Sequence, residues 1–457
     1  MAFTPLRPFS LICSVTVLLG GLWQLALADT VRPRPFVYDF YTLPNGLQVV
    51  LYEDHSTPII NVQVWYHVGS KNERPGRTGF AHLFEHMMFK GSRNVQPEAH
   101  TSYIASIGGQ SNAYTTEDTT VFWETIPQQY LPLALWLEAD RMASLRVEEA
   151  TFRTEREVVK EERRQRVDNQ PYGRLSEIIY DNAFTTHPYK HPVIGSMADL
   201  EAASIDDVRE FHAMYYRPDN ATLVIAGDFD PELAKRMVQQ YFGRIARPAE
   251  PLVRAIPEEP PPTEEKRVTV SDAVPLPAVV VAHHITYDGH PDSYPLHIAA
   301  KVLSDGQSSR IHERLVYKER LALSAFGQAN LIEDPNLFYT VAIVAPGQSP
   351  DAVAAALIEE LERLVNESIS DRELQRAKNQ FARDYVLQRQ TIQSKASALA
   401  HAVVLHDDIE TADDEFDIFQ NLTAADVQRV ATTYFRPETR IVLTIRPSGQ
   451  RPPTGGE

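Results

Sequence analysis

What this chain has least of narrows it first. Its 457 residues include one cysteine, Cys13, which excludes an intramolecular disulfide framework and any cysteine-rich zinc module. Positive charge is also scarce. There are 44 Lys and Arg against 61 Asp and Glu, a formal net charge of −17. A general nucleic-acid binder needs a basic footprint, so that class is set aside. Beyond position 28 no apolar run is long enough to span a bilayer.

The segment 1–28 reads as a secretory signal peptide. Arg7 precedes an apolar run from Leu11 to Leu27, and Ala26-Leu27-Ala28 offers a small-residue cleavage site before Asp29. Cys13 lies inside the run rather than at its end, which argues against a lipoprotein anchor. Cleavage leaves an exported protein, periplasmic in a bacterium, with no cysteine and no stable membrane insertion. A retained leader acting as an anchor is the alternative.

A composition of 43% hydrophobic and 23% charged residues is ordinary for a globular protein, and the length implies two or three domains. An internal repeat divides them. Ser204-Ile205-Asp206-Asp207-Val208 runs on to Tyr215-Tyr216-Arg217-Pro218, and Thr423-Ala424-Ala425-Asp426-Val427 runs on to Tyr434-Phe435-Arg436-Pro437. Both segments start with an S/T-x-x-D helix cap and end before a β-branched strand. The numbering offset is 219 at both ends (423 − 204 and 437 − 218), which is the mark of a tandem duplication. Between the copies, the stretch 247–265 is rich in Pro and Glu and reads as an extended linker. The expected order is therefore a leader over 1–28, one domain over 37–246, the linker, and a homologous domain over 266–447.

Each copy mixes strands and helices. Pro44-Asn45 marks a hairpin turn before Gly46–Leu51, and Ile59–Trp65 alternates like a half-buried strand. Helical patterns cover 130–144 and 148–168, and Ser370 caps a helix with Leu374, Ala377, Phe381 and Tyr385 on one face. Adjacent strands without helical crossovers point to an α+β fold with a mostly antiparallel sheet in each domain.

The segment Gly79-Phe80-Ala81-His82-Leu83-Phe84-Glu85-His86 carries the chemistry. On a helix, His82 and His86 share one face a turn apart, so both imidazoles reach one ion, and Glu85 adjoins them. This is H-x-x-E-H, the inverzincin order. Without thiolates, zinc takes imidazole nitrogen and carboxylate oxygen and keeps a position open for water. Glu85 is the residue placed to move the proton during attack on a peptide bond. A third ligand must come from elsewhere. Glu155, Glu157, Glu161 and Glu162 crowd the helical run 155–164, and spacing alone does not choose among them.

These motifs resemble the M16 metallopeptidases, the family of pitrilysin, insulin-degrading enzyme and the mitochondrial processing peptidase, and most of all their two-domain members. The family pairs H-x-x-E-H with a downstream E-R-x-V-V-x-x-E, matched here from Glu155 to Glu162. The resemblance implies Glu162 as third ligand to one zinc per chain and Glu155 as the carboxylate orienting a ligand histidine. Gly108–Thr115 resembles the family's G-G-x-x-N-A-Y-T strand, which implies that Gly109, Asn112, Ala113 and Tyr114 bind peptide substrate as an added strand. The implied architecture is two homologous α/β-roll domains of the LuxS/processing-peptidase-like metallohydrolase fold, enclosing a chamber.

One departure matters. The family's second domain commonly carries Arg and, seven positions later, Tyr, where this chain has Val316 and Leu323. Some members work as unlike pairs, so the resemblance implies a homologous partner that supplies Arg and Tyr to this zinc-bearing half. The expected function is a zinc endopeptidase acting on short unfolded peptides. The alternative is a non-catalytic peptide-binding or assembly subunit with structural or vestigial zinc. Other histidines attract less interest. His283 and His284 point to opposite faces of a strand, His187 and His191 read as packing residues, and His297 has no metal motif around it. No phosphate-cradle pattern surrounds Gly306. The second copy reads as metal-free.

Overall fold

Eleven strands among residues 32–449, the part described by the computed structural model, form two sheets. The expected signal peptide lies outside the described residues. The first sheet holds β1 (Tyr38–Thr42), β2 (Gln48–Glu53), β3 (Ile59–Tyr66), β4 (Gln110–Thr115), β5 (Thr120–Pro127) and β6 (Ala221–Gly227), in the order β1-β2-β6-β3-β5-β4. The second holds β7 (Lys266–Asp272), β8 (Ala278–His284), β9 (Ala322–Ala329), β10 (Leu337–Val344) and β11 (Arg440–Pro447), in the order β7-β11-β8-β10-β9. Without β1 the two orders are the same. In both sheets one pair is parallel, β2 with β6 and β7 with β11, and the remaining pairs are antiparallel.

The duplication is equally plain in the helices. Ile205–Tyr215 and Ala424–Tyr434 stand at the repeat offset, each under a complete capping box, from Ser204 and from Thr423. Leu131–Ser144 and Pro350–Asn366 begin at the same offset. Each half packs such helices on one face of its own sheet, around a core that includes Leu47, Val64, Phe84 and Phe122 in the first half and Val281, Leu296, Phe338 and Leu357 in the second.

The other face of each sheet is covered by the opposite half. Helix Ile392–Leu405, from the second half, lies on the first sheet, where Ile392, Leu399, Val403 and Val404 pack with Val50, Trp65, Val121 and Val224. Helix Leu175–Ala183, from the first half, lies on the second sheet with Ile178, Ile179 and Tyr180 against Val280, Ala282 and Leu337. Burying four large aliphatic side chains of Ile392–Leu405 contributes on the order of 6–12 kcal/mol, an upper figure.

This exchange accounts for β3. Its alternation implies one wet face, yet seven of its eight residues are buried. The polar positions Asn61 and Gln63 lie under the helix from the other half. Gln63 Nε2 donates to Gln393 O at 3.0 Å and to Ser397 Oγ at 3.1 Å, and Trp65 Nε1 donates to Gln63 Oε1 at 2.7 Å. Buried polar groups are tolerated when so paired.

The segment 247–265 contains no helix or strand but is pinned. The Glu259 carboxylate accepts the backbone N–H groups of Thr185, Thr186 and His187 at 2.8–2.9 Å.

Candidate metal centre

Helix Phe80–Met87 is held at its start by two close approaches. Gly79 has φ 89°, and a Cβ there would stand 2.7 Å from Ile194 O; at Gly195, φ 74°, a Cβ would meet Thr78 backbone at 2.4 Å. Only glycine allows both conformation and contact. The buried Glu73 carboxyl accepts N–H from Gly79 at 2.8 Å and from Ala81 at 2.7 Å and so caps the first turn of the helix, while burial holds it well above the usual carboxylate range.

Helix Glu149–Arg163 crosses this one, burying Phe152 and Val159 and turning Glu155 and Glu162 toward His82 and His86. Arg163 Nη1, at its end, donates to Gly195 O at 2.7 Å and so ties the crossing to the glycine contact. Of the four glutamates that spacing leaves open, the structure brings Glu162 to both histidines. Glu162 Oε2 lies 3.7 Å from His82 Nε2 and 3.4 Å from His86 Nε2. Glu155 Oε2 lies 3.5 Å from His86 Nδ1, on the far side of that ring. Glu157 instead pairs with Lys160, and Glu161 with Arg164.

The three donors fit a zinc ion. Tetrahedral ligands about 2.0–2.2 Å from zinc stand roughly 3.3–3.6 Å from one another, close to the distances found. The imidazoles are 4.8 Å apart between centroids and nearly perpendicular, at 82°. Burial pulls His82 down to about 3, so it is neutral at physiological pH and available as a ligand. His86 is also drawn down by burial, but the carboxylates of Glu155, Glu85 and Glu162 outweigh that and raise it. Glu155 moves the other way: His86 and Lys90, 2.9 Å from its Oε1, outweigh burial and lower it.

Glu85 occupies the same cleft, of about 640 Å³. Burial raises its carboxyl above the usual range against the hydrogen bond from Thr115, whose hydroxyl donates to Oε2 at 2.7 Å. A raised carboxyl beside a metal position suits a group that takes and returns a proton. Thr115 ends β4, an edge strand that among the described residues pairs only with β5, which leaves its other edge without a strand partner there. Asn112, Ala113 and Tyr114 line the cleft with Thr115, whereas Gly109 stands outside that lining. A Cβ at Gly109 would lie 2.9 Å from Ile104 Cγ2, so this glycine serves the packing that starts the strand.

Three contacts escaped the sequence reading: Thr115 on Glu85, Lys90 on Glu155, and Arg166, whose Nη1 lies 2.6 Å from Glu162 Oε1. Lys90 and Glu155 lie on separate segments of the chain, and no periodicity links them. Thr115 closes the G-G-x-x-N-A-Y-T stretch, which was the one signal available for it. Among the described residues the cleft's lining runs from His82 to Ile194, with none from the second half. Val316 is half-buried in the π-helical segment His312–Lys318, and Leu323 is 57% exposed on β9. His283 and His284 do face opposite ways, toward Thr439 and Ala183. His187 sits near Asp334 and His191 near Glu73, while His297 packs edge-on to Phe381 and Phe419.

Comparison with known proteins gives consistent matches. A family model described as insulinase, peptidase family M16, matches residues 48–197, and one described as peptidase M16 inactive domain matches 202–381. The zinc protease PqqE of Helicobacter pylori is 31% identical over 435 residues, covering 94% of this chain and 97% of the relative. The crystal structure of a protease from Helicobacter pylori matches with a TM-score of 0.85 at 31% identity, over 91% of this chain and 100% of that one. The first half of the periplasmic protease PqqL from Escherichia coli, 18% identical, shares the fold with a TM-score of 0.74 over 90% of this chain and 93% of that one.

Proposed function

Because the chain belongs to peptidase family M16, we propose that it is a zinc endopeptidase that hydrolyses short, unfolded peptides. His82, His86 and Glu162 hold the ion, and Glu155 orients His86 through its Nδ1 edge. Zinc bound there supplies Lewis acidity to a water and to the scissile carbonyl. Glu85, steadied by Thr115, accepts the proton from the attacking water and returns it to the leaving amine. Peptide lies along the free edge of β4 beside Asn112, Ala113 and Tyr114, with Gly109 setting the start of that strand. The observation that carries the reading is Glu85, poised in the same cleft as the His82–His86–Glu162 triangle. A purely structural zinc site has no use for it.

The active form is a heterodimer with a homologous subunit that brings Arg and Tyr, because Val316 and Leu323 stand at those positions and the second half lines none of the cleft. The leader over 1–28 supports export to the periplasm. Among the described residues no helix is long and apolar enough to cross a membrane. A non-catalytic peptide-binding subunit is the second reading, favoured by the same missing pair.

Peptide cleavage by the purified chain, alone and with an Arg/Tyr-bearing homologue, tests both readings. Glu85→Gln is expected to lower cleavage by about 10²–10⁴ while zinc is retained. Unchanged cleavage by this variant refutes Glu85 as the base, and an active monomer refutes the pairing. A zinc-loaded pair that cleaves nothing in a broad peptide library selects the second reading.

A further inference from the structure

A second cleft, of about 540 Å³, opens where helix Ile392–Leu405 meets the first sheet, with Trp65 and Tyr114 on one wall and His401, His406 and Glu415 on another. Asp288, in the loop after β8, reaches both histidines: its Oδ2 lies 3.5 Å from His401 Nε2 and 3.0 Å from His406 Nε2. The rings are 5.0 Å apart between centroids and cross at 84°. At the first centre the corresponding values are 3.7 Å, 3.4 Å, 4.8 Å and 82°. The two arrangements are alike in donor set, in spacing and in ring orientation. No sequence motif announces this one, because Asp288 precedes two intervening strands and several helices before His401 is reached.

The neighbours of His406 decide where its proton sits. Thr411 Oγ1 donates to Asp408 O at 2.7 Å, so it accepts from His406 Nδ1 at 3.0 Å. That fixes the proton of the neutral ring on Nδ1 and leaves the Nε2 lone pair facing the Asp288 oxygen. His401 brings a second Nε2 to the same oxygen. A single proton relieves one of these contacts; a divalent cation among the three atoms relieves all of them. The Thr411 contact is also the outer-shell partner that orients a ligand imidazole. His401 is 42% exposed, so an ion has a route from the cleft.

The two copies differ at this cluster. At the repeat offset His406 corresponds to His187, which faces Asp334 at 3.5 Å, but His401 corresponds to Asn182. The first copy therefore offers one histidine, facing an aspartate of the second copy, whereas the second copy has its own aspartate and the further histidine that makes a three-donor set.

We propose that His401, His406 and Asp288 form a second zinc site, with Glu415 as an available carboxylate in the same cleft, giving this chain two zinc ions instead of one. The ion fastens helix Ile392–Leu405, which roofs the first sheet, to the loop that leaves β8. Tyr114 lines this cleft and the first one, so the fastening acts on a wall shared with the peptide edge.

Zinc content per chain tests this without reference to cleavage. The full chain is stripped with chelator, reloaded with excess zinc, desalted and analysed by mass spectrometry of the metal. Two equivalents are expected for the unaltered chain, and one each for His82→Gln/His86→Gln and for His401→Gln/His406→Gln. In the His82→Gln/His86→Gln variant, Co²⁺ should give the visible absorption of a four-coordinate nitrogen–oxygen site, lost when Asp288→Asn is added. Asp288→Asn alone also removes one equivalent, with circular dichroism showing a retained fold. One equivalent in the unaltered chain, or none in His82→Gln/His86→Gln, overturns the proposal and means that a protonated histidine–aspartate pair is all the cluster holds. Absence of peptidase activity when the chain, with two zinc ions bound, is paired with an Arg/Tyr-bearing homologue refutes the proposed function and leaves the second site standing.

Discussion

Lys71 offers the sharpest test of how the halves are joined. Its side chain is 3% exposed, and Nζ lies 3.0 Å from Asp118, 2.8 Å from Glu333 and 2.9 Å from Asp334. The last two belong to the β9–β10 loop of the second half, so one buried cation holds carboxylates from both halves. Tyr189 donates to Asp118 at 2.6 Å and accepts the N–H of Asp334 at 3.1 Å, which closes the cluster. Burial disfavours the ammonium, but the three carboxylates outweigh it and raise the lysine above its usual value. Its contribution is thus complete at neutral pH and lost only well above pH 10.5. Lys71→Met keeps the volume and strands three carboxylates, a change that costs about 3–5 kcal/mol. At about 2–4 °C per kcal/mol for domains of this size, Tm should fall by about 6–20 °C in scanning calorimetry at pH 7.5. The stranded carboxylates hold their protons more tightly when folded than when unfolded, so the deficit must shrink as pH falls toward 5. Adding Asp334→Asn should recover part of the loss, a coupling that a double-mutant cycle reads directly. A fall below about 2 °C, or a deficit independent of pH, refutes the clasp.

Other consequences are more local. Glu155→Gln should weaken zinc binding about 10- to 100-fold, read by competition with a chromophoric chelator, because His86 loses the partner that orients it. Glu259→Gln tests the pinned linker. Against burial, the N–H groups of His187, Thr186 and Thr185 and the Thr185 hydroxyl lower this carboxyl to about 2. A fall from about 4.5 corresponds to about 3 kcal/mol by linkage and, discounted for solvent screening, to about 1–2 kcal/mol. That contribution is fully present above about pH 4.5 and disappears as pH falls toward 2, so urea midpoints of the two proteins should converge in acid. A difference that grows in acid refutes the assignment.

Much of the proposed zinc site was legible because its candidate ligands sit in short contiguous words. His82, Glu85 and His86 fall within little more than one helical turn, and helical geometry alone gathers them. Glu162 was harder, since four glutamates share one helix and only the crossing angle of two helices decides which faces the histidines. The halves were legible through caps: Ser204 and Thr423 start helices whatever surrounds them. What the sequence concealed was the covering of each sheet by the opposite half. β3 carries an alternating pattern, and alternation normally signals a wet face. Asn61 and Gln63 are buried here because Gln393 and Ser397, near the other end of the chain, bring the helix that covers them and bond Gln63. A comparable separation hides Lys71 with Glu333 and Asp334, as well as Asp288 with its two histidines.

That exchange of helices bears on why the second half stays attached to a centre it does not line. β6 is buried along all seven of its residues, and part of that burial comes from helix Ile392–Leu405. Without this roof, Val50, Trp65 and Val224 would face water on the sheet that carries the edge strand β4. The first half is therefore not a self-sufficient domain with an appended copy. Its sheet is finished by the second half, and the second sheet is finished by Leu175–Ala183, which follows closely on the helix carrying Glu162. The Glu73 cap and the Gly79–Gly195 contact fix where helix Phe80–Met87 starts, and Glu73 lies two residues from the Lys71 clasp that joins the halves.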